Sequence, residues 1–412
     1  WSNRGEIPAN GVDDDGNGYV DDQRGDDFVW DDRDPMDDQV HGTHVAGIIG
    51  ALADNEAGTV GVAWQVQLMA LKAFDETGSA AGADTVAAIR YALDNGAQII
   101  NASWGGTTRS RALDDVVAEC AARGVLFVAA AGNNASDAAF YPAASPGALA
   151  VAATDARDRP ARFSNYGRYV ALAAPGDVIL STVPNSGVIE LSGTSMAAPH
   201  AAGVAALVWS RHPHFTAEEV ADVLRHTTDP LTTDRFLGSG RLNAARAVAV
   251  PSPLPRVALA VPPVLAGVVD VRGTASAADL AAYTLELGRG EFPTNWTALG
   301  DFAAPVADGP LLAGWNTAAF DDGVYELRLT AVKQGGFTAR AQAPVRVRDV
   351  PLPSPLNNDI VRAGGEIELR GTVFGAGREH RLEWGPGGQP PVWRTDGLVA
   401  EPGAGDLVDT RL

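Results

Sequence analysis

The sequence predicts an α/β domain with a parallel sheet, followed by β-sandwich domains. Before residue 250, apolar β-rich runs alternate with Ala-rich amphipathic stretches, the order typical of a parallel α/β sheet. After that point apolar and polar residues alternate with a period of two, as in residues 269–272 and 325–329. This pattern is typical of antiparallel strands with one buried face. The proline-rich residues 251–255 separate the two parts.

Four consecutive segments follow from these changes in pattern. Residues 1–249 are predicted to form the α/β domain, and residues 250–256 a stiff linker. Residues 257–350 are predicted to form an Ig-like β-sandwich, and residues 351–412 a second, incomplete repeat of it. The repeat is visible because residues 267–275 match residues 365–373 at an offset of 98. The second copy reaches Leu412 before any equivalent of the strand around Tyr325.

The elements of the first part are predicted from their apolar periodicity. Buried parallel strands are near-continuous apolar runs, which predicts strands at residues 66–71, 99–102, 125–131 and 148–153. Helices are predicted at residues 84–95 and 111–123, with Gly96 and Gly124 as C-terminal stops. Active sites of parallel sheets lie at the carboxyl ends of the strands, so the functional residues are expected in the segments that follow them.

The composition excludes several function classes. The chain has 31 Lys and Arg against 51 Asp and Glu, a net charge of −20. Nucleic acid is therefore excluded as a partner, because a backbone binder needs clustered basic residues. No apolar run reaches the roughly 18 residues of a membrane span. Cys120 is the only cysteine, so no internal disulfide forms. Separately, we expect a monomer.

Half of the net charge lies in residues 1–40, where an alternating pattern of oxygen ligands resembles a calcium loop. The usual Glu at position twelve is replaced by Arg24, so Asp21 or Asp22 must complete the shell. A solvated acidic loop is the alternative. A second cluster, Asp32, Asp34, Asp37 and Asp38, is a candidate for another cation site. The predicted calcium ligands are Asp13, Asp15, Asn17, Tyr19, Asp21 and Asp22.

Three motifs carry residues that acyl transfer needs, although each is ambiguous alone. His41 opens a predicted helix, and with His44 it also fits a structural pair or a zinc site. Ser195 follows Gly193 at a predicted helix N-terminus, where the helix dipole favours developing negative charge, but a serine there is often only an N-cap. Asn133 ends a buried strand and fits either an oxyanion donor or a turn residue.

Together the motifs indicate a family. His-Gly-Thr-His-Val-Ala-Gly at residues 41–47, Ala-Ala-Gly-Asn at 130–133 and Gly-Thr-Ser-Met-Ala-Ala-Pro-His at 193–200 occur in that order. The intervals are 92 residues from His41 to Asn133 and 62 from Asn133 to Ser195. In these residues, and across residues 1–248, the chain strongly resembles the subtilisin-like serine peptidases, the subtilase family.

The resemblance implies a role for each motif residue. Ser195 would be the nucleophile, His41 the general base and then acid, and Asn133 the oxyanion donor beside the Ser195 N–H. Phe140 would lie near the floor of the primary specificity pocket or belong to the core. The implied substrate cleft, which would bind an extended peptide as an added strand, consists of Ser103, Trp104, Gly105, Gly106, Ala130, Ala131 and Gly132.

The resemblance also implies an aspartate on a buried strand ahead of His41. Residues 1–40 are acidic and turn-rich, and we expect no such strand among them, so the catalytic Asp is expected to lie outside this chain. Residues 39–40, Gln-Val, also replace the small Asn-Gly pair usual before the histidine motif. The expectation is a secreted endopeptidase acting on proteins or peptides, with structural calcium and no catalytic cofactor. A non-catalytic binding or adhesion protein with a degenerate peptidase domain is the alternative, and a zinc hydrolase through His41 and His44 is less favoured.

Overall fold

The computed structural model describes residues 1–347 except 31 and 57, together with the strands at residues 368–372 and 407–411. It divides the chain into two compact units, Trp1–Leu254 and Pro255–Leu412. The strands of the first unit are β1 (Gly25–Asp27), β2 (Ala70–Lys72), β3 (Ile99–Ala102), β4 (Leu126–Ala130), β5 (Ala148–Thr154), β6 (Val170–Pro175), β7 (Ile179–Val183) and β8 (Gly187–Leu191). Its helices are α1 (His41–Gly50), α2 (Gly82–Asp94), α3 (Arg111–Ala122), α4 (Thr194–Arg211), α5 (Ala217–His226) and α6 (Ala244–Val248).

The strands of the first unit form three separate sheets. β3, β4, β5 and β6 lie side by side in chain order, and every pair of neighbours is parallel. β1 and β2 form a second parallel sheet, and β7 and β8 an antiparallel hairpin. The first unit is therefore the predicted α/β fold with a parallel sheet.

The helices pack against the four-stranded sheet through the apolar residues that recur at helical spacing in the sequence. Ile89 of α2, Val116 and Cys120 of α3, and Phe127 of β4 share one buried cluster. The ends of α2 and α3 are where the sequence predicts them, because Gly96 and Gly124 adopt the positive φ values of 76° and 72° that favour glycine. On α1, Val45 packs with Met196 of α4, which brings the histidine and serine motifs to neighbouring helices.

Two strand predictions in this unit are wrong. The apolar run at residues 66–71 forms a strand only at Ala70–Lys72, since β1 offers just three residues as partners. Conversely, residues 1–40 do contain a strand, the acidic β1. Its last residue, Asp27, is buried beside Lys72, with Oδ2 at 2.8 Å from Nζ. The ion pair with Lys72 compensates for the burial of this charge. Because the strand is buried through an ion pair and not through apolar side chains, apolar periodicity does not predict it.

The second unit is rich in antiparallel β structure. Its strands are β9 (Arg256–Ala260), β10 (Val264–Leu265), β11 (Val268–Ser276), β12 (Leu280–Arg289), β13 (Thr297–Phe302), β14 (Val306–Asn316), β15 (Gly323–Lys333) and β16 (Thr338–Val347). They form a five-stranded sheet, β10-β16-β15-β12-β13, and a three-stranded sheet, β14-β11-β9. Val271 and Leu311 of the smaller sheet share a core with Leu285 and Leu327 of the larger one. The Tyr283 hydroxyl donates to the Leu311 carbonyl at 3.0 Å and joins the two sheets.

The predicted second repeat lies outside the described residues except for two strands. These are β17 (Glu368–Thr372) and β18 (Leu407–Arg411), which pair antiparallel. In the first copy Arg272 faces Pro310, and in the second Arg370 faces Asp409, which lie 98 and 99 residues further along. The first of these intervals equals the offset of the sequence repeat, and the incomplete second sandwich stays a prediction. Among the helices of the described residues, none is both long and apolar enough to cross a membrane.

Candidate active site

Ser195 lies in the first turn of α4, close to the carboxyl end of β3. Gly193 precedes the helix in an extended conformation. The Ser195 hydroxyl donates to the Ser103 carbonyl at 3.0 Å, and the Ser103 hydroxyl donates to the Ser195 carbonyl at 2.8 Å. These reciprocal bonds hold the start of α4 against the segment that follows β3. They leave Ser195 half-buried, at the wall of a large cavity.

Asn133 lies beyond the end of β4 and is held by the same helix start. Its Oδ1 accepts from the Thr194 N–H at 2.8 Å and from the Thr194 hydroxyl at 2.9 Å. The Thr194 hydroxyl in turn accepts from the Gly132 N–H at 3.0 Å. Since the oxygen of the Asn133 amide is used in this way, its Nδ2 is the end left to donate. Asn133 and Ser195 line the same cavity.

His41, the first residue of α1, lines this cavity as well. Burial lowers the pKa of its imidazole, an effect that the nearby Asp37 carboxylate opposes and His44 reinforces. The ring is therefore neutral at pH 7, the form in which it accepts a proton. Among the described residues, no hydrogen bond is formed by the His41 ring.

The structure separates His41 from His44. His44 is completely buried, and its Nε2 lies 3.0 Å from the Ile179 carbonyl and 3.1 Å from the Ile189 carbonyl, both on the β7–β8 hairpin. A nitrogen that donates to carbonyl oxygens does not bind zinc. The described residues contain a single group of three or more potential metal ligands, and neither histidine belongs to it. The zinc alternative therefore has no support.

Asp37 and Asp27, two carboxylates near this end of the sheet, are engaged elsewhere. Asp37 Oδ2 accepts from the Thr43 N–H and hydroxyl, both at 2.7 Å, and its Oδ1 accepts from the Gln39 and Val40 N–H groups at 2.9 Å. It thus caps the start of α1. Asp27 binds Lys72 and accepts from the Val29 N–H at 2.8 Å. Neither is placed by these bonds to orient His41.

The backbone just before His41 is unusual. Val40 has φ 114° and ψ −24°, in a region that favours glycine and that a β-branched residue rarely adopts. This is where the sequence departs from the usual Asn-Gly pair. The bonds to Asp37 hold the residue in this conformation.

The predicted cleft residues surround Phe140. The Cβ of an alanine at Gly105 would lie 2.5 Å from the Phe140 ring, and one at Gly132 would lie 2.8 Å from it. Both glycines are therefore needed for the ring to lie between the two cleft segments. Trp104, Gly105, Ala130 and Phe140 all line the cavity.

Hydrogen bonds restrict which parts of the cleft can pair with a peptide. The Ala131 carbonyl accepts from Tyr169 at 2.8 Å and from Asn165 Nδ2 at 3.0 Å, and its N–H donates to Val151. Gly132 also uses both backbone groups within the protein. Gly106 pairs with Tyr141 in both directions. The backbone groups of Gly106, Ala131 and Gly132 are thus already bonded within the protein, which narrows the prediction of an added peptide strand to the other cleft residues.

The acidic loop brings part of the predicted calcium shell together. One carboxylate oxygen each from Glu6, Asp13 and Asp15 lies within 4.8 Å of the others, a spread that oxygens around one calcium ion at about 2.4 Å would have. N–H groups of residues 16–18, above all that of Gly18, hold the pKa of Asp13 below its usual value. These three carboxylates therefore fit a structural calcium ion.

The other predicted ligands have different environments. Asn17 donates through Nδ2 to Asp22 at 2.9 Å, which keeps both beside Asp15. Asp21 turns away, since it accepts from the Gly11 N–H and pairs with Arg33. Tyr19 contributes its ring to an aromatic cluster with Tyr91, at 5.0 Å between centroids. The second acidic cluster does not converge, because Asp37 caps α1 and Asp38 pairs with Lys72.

Sequence reasoning missed three residues that position the site. Thr194 joins Asn133 to α4, Asn165 supports Ala131, and Glu6 faces Asp13. A hydroxyl residue at the start of a helix was a detectable signal for Thr194. Glu6 is seven residues from Asp13, outside the spacing of a calcium loop, so the pattern does not include it.

The first unit is an α/β protein with one cavity lined by a serine, a histidine and an asparagine from three motifs. A family model described as the subtilase family (peptidase S8) matches residues 7–240, and the chain belongs to this family. The "Thermophilic serine proteinase" of Bacillus sp. (strain AK1) is 42% identical over 226 residues, 55% of this chain and 56% of that protein. "Thermitase" of Thermoactinomyces vulgaris is 41% identical over 54% of this chain and 79% of its own length.

Each of these similarities covers about half of this chain. "Subtilisin Savinase" of Lederbergia lenta is 39% identical over 53% of this chain and 81% of its own length. A solved structure of a protease from Pseudoalteromonas arctica is 32% identical and covers 51% of this chain and 71% of that one, with a TM-score of 0.49. The match spans little more than half the length of the Bacillus relative.

Proposed function

We propose that the first unit is a serine endopeptidase that hydrolyses peptide bonds of proteins, with Ser195 as nucleophile. The observation that carries this proposal is the joint placement of Ser195 and Asn133. Asn133 is bonded to Thr194 at the start of α4, Ser195 is the next residue of that helix, and both line the cavity that His41 also lines.

In the proposed reaction, the Ser195 oxygen attacks the scissile carbonyl carbon while His41 accepts the hydroxyl proton. The hydroxyl must first rotate away from the Ser103 carbonyl. Negative charge then develops on the carbonyl oxygen, where Asn133 Nδ2 and the Ser195 N–H donate to it. His41 returns the proton to the leaving amine as the C–N bond breaks, and water completes the cycle by the same route.

The third member of the proposed triad, a carboxylate that orients His41, would come from outside residues 1–412. The support for this is that Asp27 and Asp37 are occupied by Lys72 and by the start of α1. Loss of such a carboxylate costs about four orders of magnitude in rate in this family. We therefore expect slow catalysis from this chain alone.

Three further properties belong to the same proposal. Glu6, Asp13 and Asp15 would hold a calcium ion that stabilises the acidic loop. The protein would act outside the cell, as its resemblance to subtilisins implies, and it would act as a monomer. Phe140 would set the depth of the primary specificity pocket between Gly105 and Gly132.

A fluorophosphonate probe tests the assignment, since a serine activated by histidine attacks its tetrahedral phosphorus. Mass spectrometry after prolonged exposure should find the label on Ser195, and Ser195→Ala should remove it. Ser192→Ala is the matched control, because the Ser192 hydroxyl is exposed and donates to Asp177 at 2.8 Å. An unlabelled native protein, or labelling that survives Ser195→Ala, would contradict the proposal.

A further inference from the structure

A proline inside α4 affects the residue that the proposed function assigns as nucleophile. Pro199 is buried and lies four residues after Ser195 in the same helix. In an α-helix each N–H donates to the carbonyl four residues earlier, so the Ser195 carbonyl would accept from the N–H of residue 199. Proline has no N–H, and its ring crowds that carbonyl. The Ser195 carbonyl therefore lacks its helical donor.

The Ser103 side chain supplies a donor from outside the helix. Its hydroxyl donates to the Ser195 carbonyl at 2.8 Å. Ser103 follows β3 and is only 6% exposed, so little water can compete for this bond. A carbonyl that is removed from water and left without a donor costs more free energy than a typical hydrogen bond contributes. The bond from Ser103 thus compensates for the N–H that Pro199 does not have.

Asn101 orients the Ser103 hydroxyl. Its Nδ2 donates to Ser103 Oγ at 2.9 Å. A hydroxyl has one proton to donate and two lone pairs that accept. Because one lone pair accepts from Asn101, the proton is directed to the Ser195 carbonyl. The Asn101 amide keeps this orientation although its Oδ1 is buried and accepts no hydrogen bond from the described residues. Asn101, Ser103 and Ser195 therefore form a directed chain of hydrogen bonds.

The bond from the Ser103 side chain is the one that can persist during the proposed reaction. In the structure two bonds join the serines, since the Ser195 hydroxyl also donates to the Ser103 carbonyl at 3.0 Å. That bond is lost when the Ser195 hydroxyl turns towards His41. The Ser103 hydroxyl binds the main chain of Ser195 and not its side chain, so its bond does not have to break.

We propose that Ser103 is a positioning residue for the nucleophile. Its hydroxyl, oriented by Asn101, replaces the missing N–H of residue 199 and holds the main chain of Ser195 while the Ser195 side chain rotates and attacks. Ser103 thus acts on the reaction through Ser195, and its hydroxyl does not contact the reacting atoms. The inference rests on the proposed function for the role of Ser195 as nucleophile, but not for the hydrogen bonds.

Phosphonylation of the 412-residue chain by a fluorophosphonate, measured over a range of probe concentrations, tests the proposal. Ser103→Ala leaves the Ser195 carbonyl without its donor, so the maximal rate of labelling should fall about tenfold. The probe concentration that gives half of this rate should hardly change. An unchanged maximal rate, or a loss confined to the affinity for the probe, would overturn the inference.

Pro199→Ala supplies the sharpest comparison, because alanine restores an N–H four residues after Ser195. The double variant Ser103→Ala/Pro199→Ala should recover most of the lost labelling rate, even if removal of the buried proline ring lowers the melting temperature. A general weakening of the fold predicts the opposite, since the losses from two substitutions would add. A folded double variant that is labelled no faster than Ser103→Ala would overturn the inference.

Thr227→Val is the matched control for a loss of stability. The Thr227 hydroxyl donates to the Val223 carbonyl at 2.7 Å at the end of α5, and Thr227 is 2% exposed. This variant should lower the melting temperature of the first unit, as Ser103→Ala does, but leave the maximal rate of labelling unchanged. An equal loss of rate in both variants would make stability the cause and overturn the inference.

Asn101→Ala tests the orientation of the Ser103 hydroxyl. Alone it should slow labelling, but added to Ser103→Ala it should cause no further loss, because both residues act through one chain of bonds. Additive losses would overturn the role of Asn101. A native chain that takes no label would contradict the proposed function, and the role of Ser103 in catalysis with it. A labelled native chain with an equally fast Ser103→Ala variant would contradict this inference alone.

Discussion

At the scale of single residues, Asn133 combines an observed structural role with a proposed catalytic one, and a single substitution would affect both. Its Oδ1 caps the start of α4 through Thr194, and its Nδ2 is the proposed oxyanion donor. Asn133→Ala should lower kcat by about two to three orders of magnitude with little change in KM, since the donor acts on charge present only in the transition state. This magnitude is taken from a member of the same family. A fluorogenic peptide substrate provides the measurement.

Asn133→Asp is the matched variant, because it keeps an oxygen acceptor for Thr194 but has no N–H to donate. Its kcat should fall as far as that of the alanine variant, but its melting temperature should fall less. A variant that mainly loses substrate affinity would show that Asn133 has a different role.

Cys120 is expected to be inert in the native protein. It is completely buried in the core between α3 and the sheet. Burial, with a smaller contribution from Glu119, raises the pKa of its thiol to about 12. Because the thiolate is the reactive form, a disulfide reagent at pH 8 should modify the native chain very slowly and the urea-unfolded chain at once. Rapid modification before unfolding would contradict the buried placement.

At the scale of elements, Val40 makes the start of α1 strained. A left-handed conformation costs a residue with a Cβ atom about 1–2 kcal/mol, and Val40→Gly removes this cost. Glycine loses more backbone entropy on folding, but this loss is smaller than the strain that is removed. The variant should be about 1 kcal/mol more stable to urea. Val60→Gly is the control, because Val60 is exposed in a loop and has no positive φ. If the free energy of unfolding fell equally in both variants, strain at Val40 would be contradicted.

Element prediction succeeded where the signal is local and failed where it depends on a partner. Gly96 and Gly124 end helices because glycine tolerates positive φ. This signal is local, since the glycines can be identified directly in the sequence. The extent of β2 depends on β1, whose three residues, one glycine and two aspartates, are distant in sequence and carry no apolar pattern. Likewise, the motifs and the resemblance that they carry pointed to Ser195 and Asn133 as candidate site residues, but not to Thr194, which joins Asn133 to the helix of Ser195. A hydrogen bond between two side chains that are 61 residues apart produces no periodic pattern in the sequence.

At the scale of the whole molecule, the two compact units allow the effect of calcium to be localised. Calcium should raise the melting temperature of the first unit by several degrees relative to chelator, since it binds the native loop and not the unfolded chain. The second unit should melt at the same temperature in both conditions. Differential scanning calorimetry resolves the two transitions.

Substitutions identify the source of that effect. Asp15→Ala should shrink the calcium shift, because Asp15 is one of the three clustered carboxylates. Asp115→Ala, on the exposed face of α3, should leave it unchanged. A shift that is absent from the native chain, or that survives Asp15→Ala intact, would leave a solvated acidic loop as the better description.

The attachment of Asn133 to the start of α4 has a mechanical consequence. Thr194 binds Asn133 through both its N–H and its hydroxyl, and Ser195 is the next residue along the same helix. The Thr194 hydroxyl also accepts from the Gly132 N–H, and Ser195 exchanges two hydrogen bonds with Ser103. The start of α4 is therefore tied to the ends of β3 and β4, and the proposed nucleophile and oxyanion donor share one bonded network. The His41 ring begins a separate helix and forms no hydrogen bond among the described residues, so the proposed base is the member that these bonds do not hold.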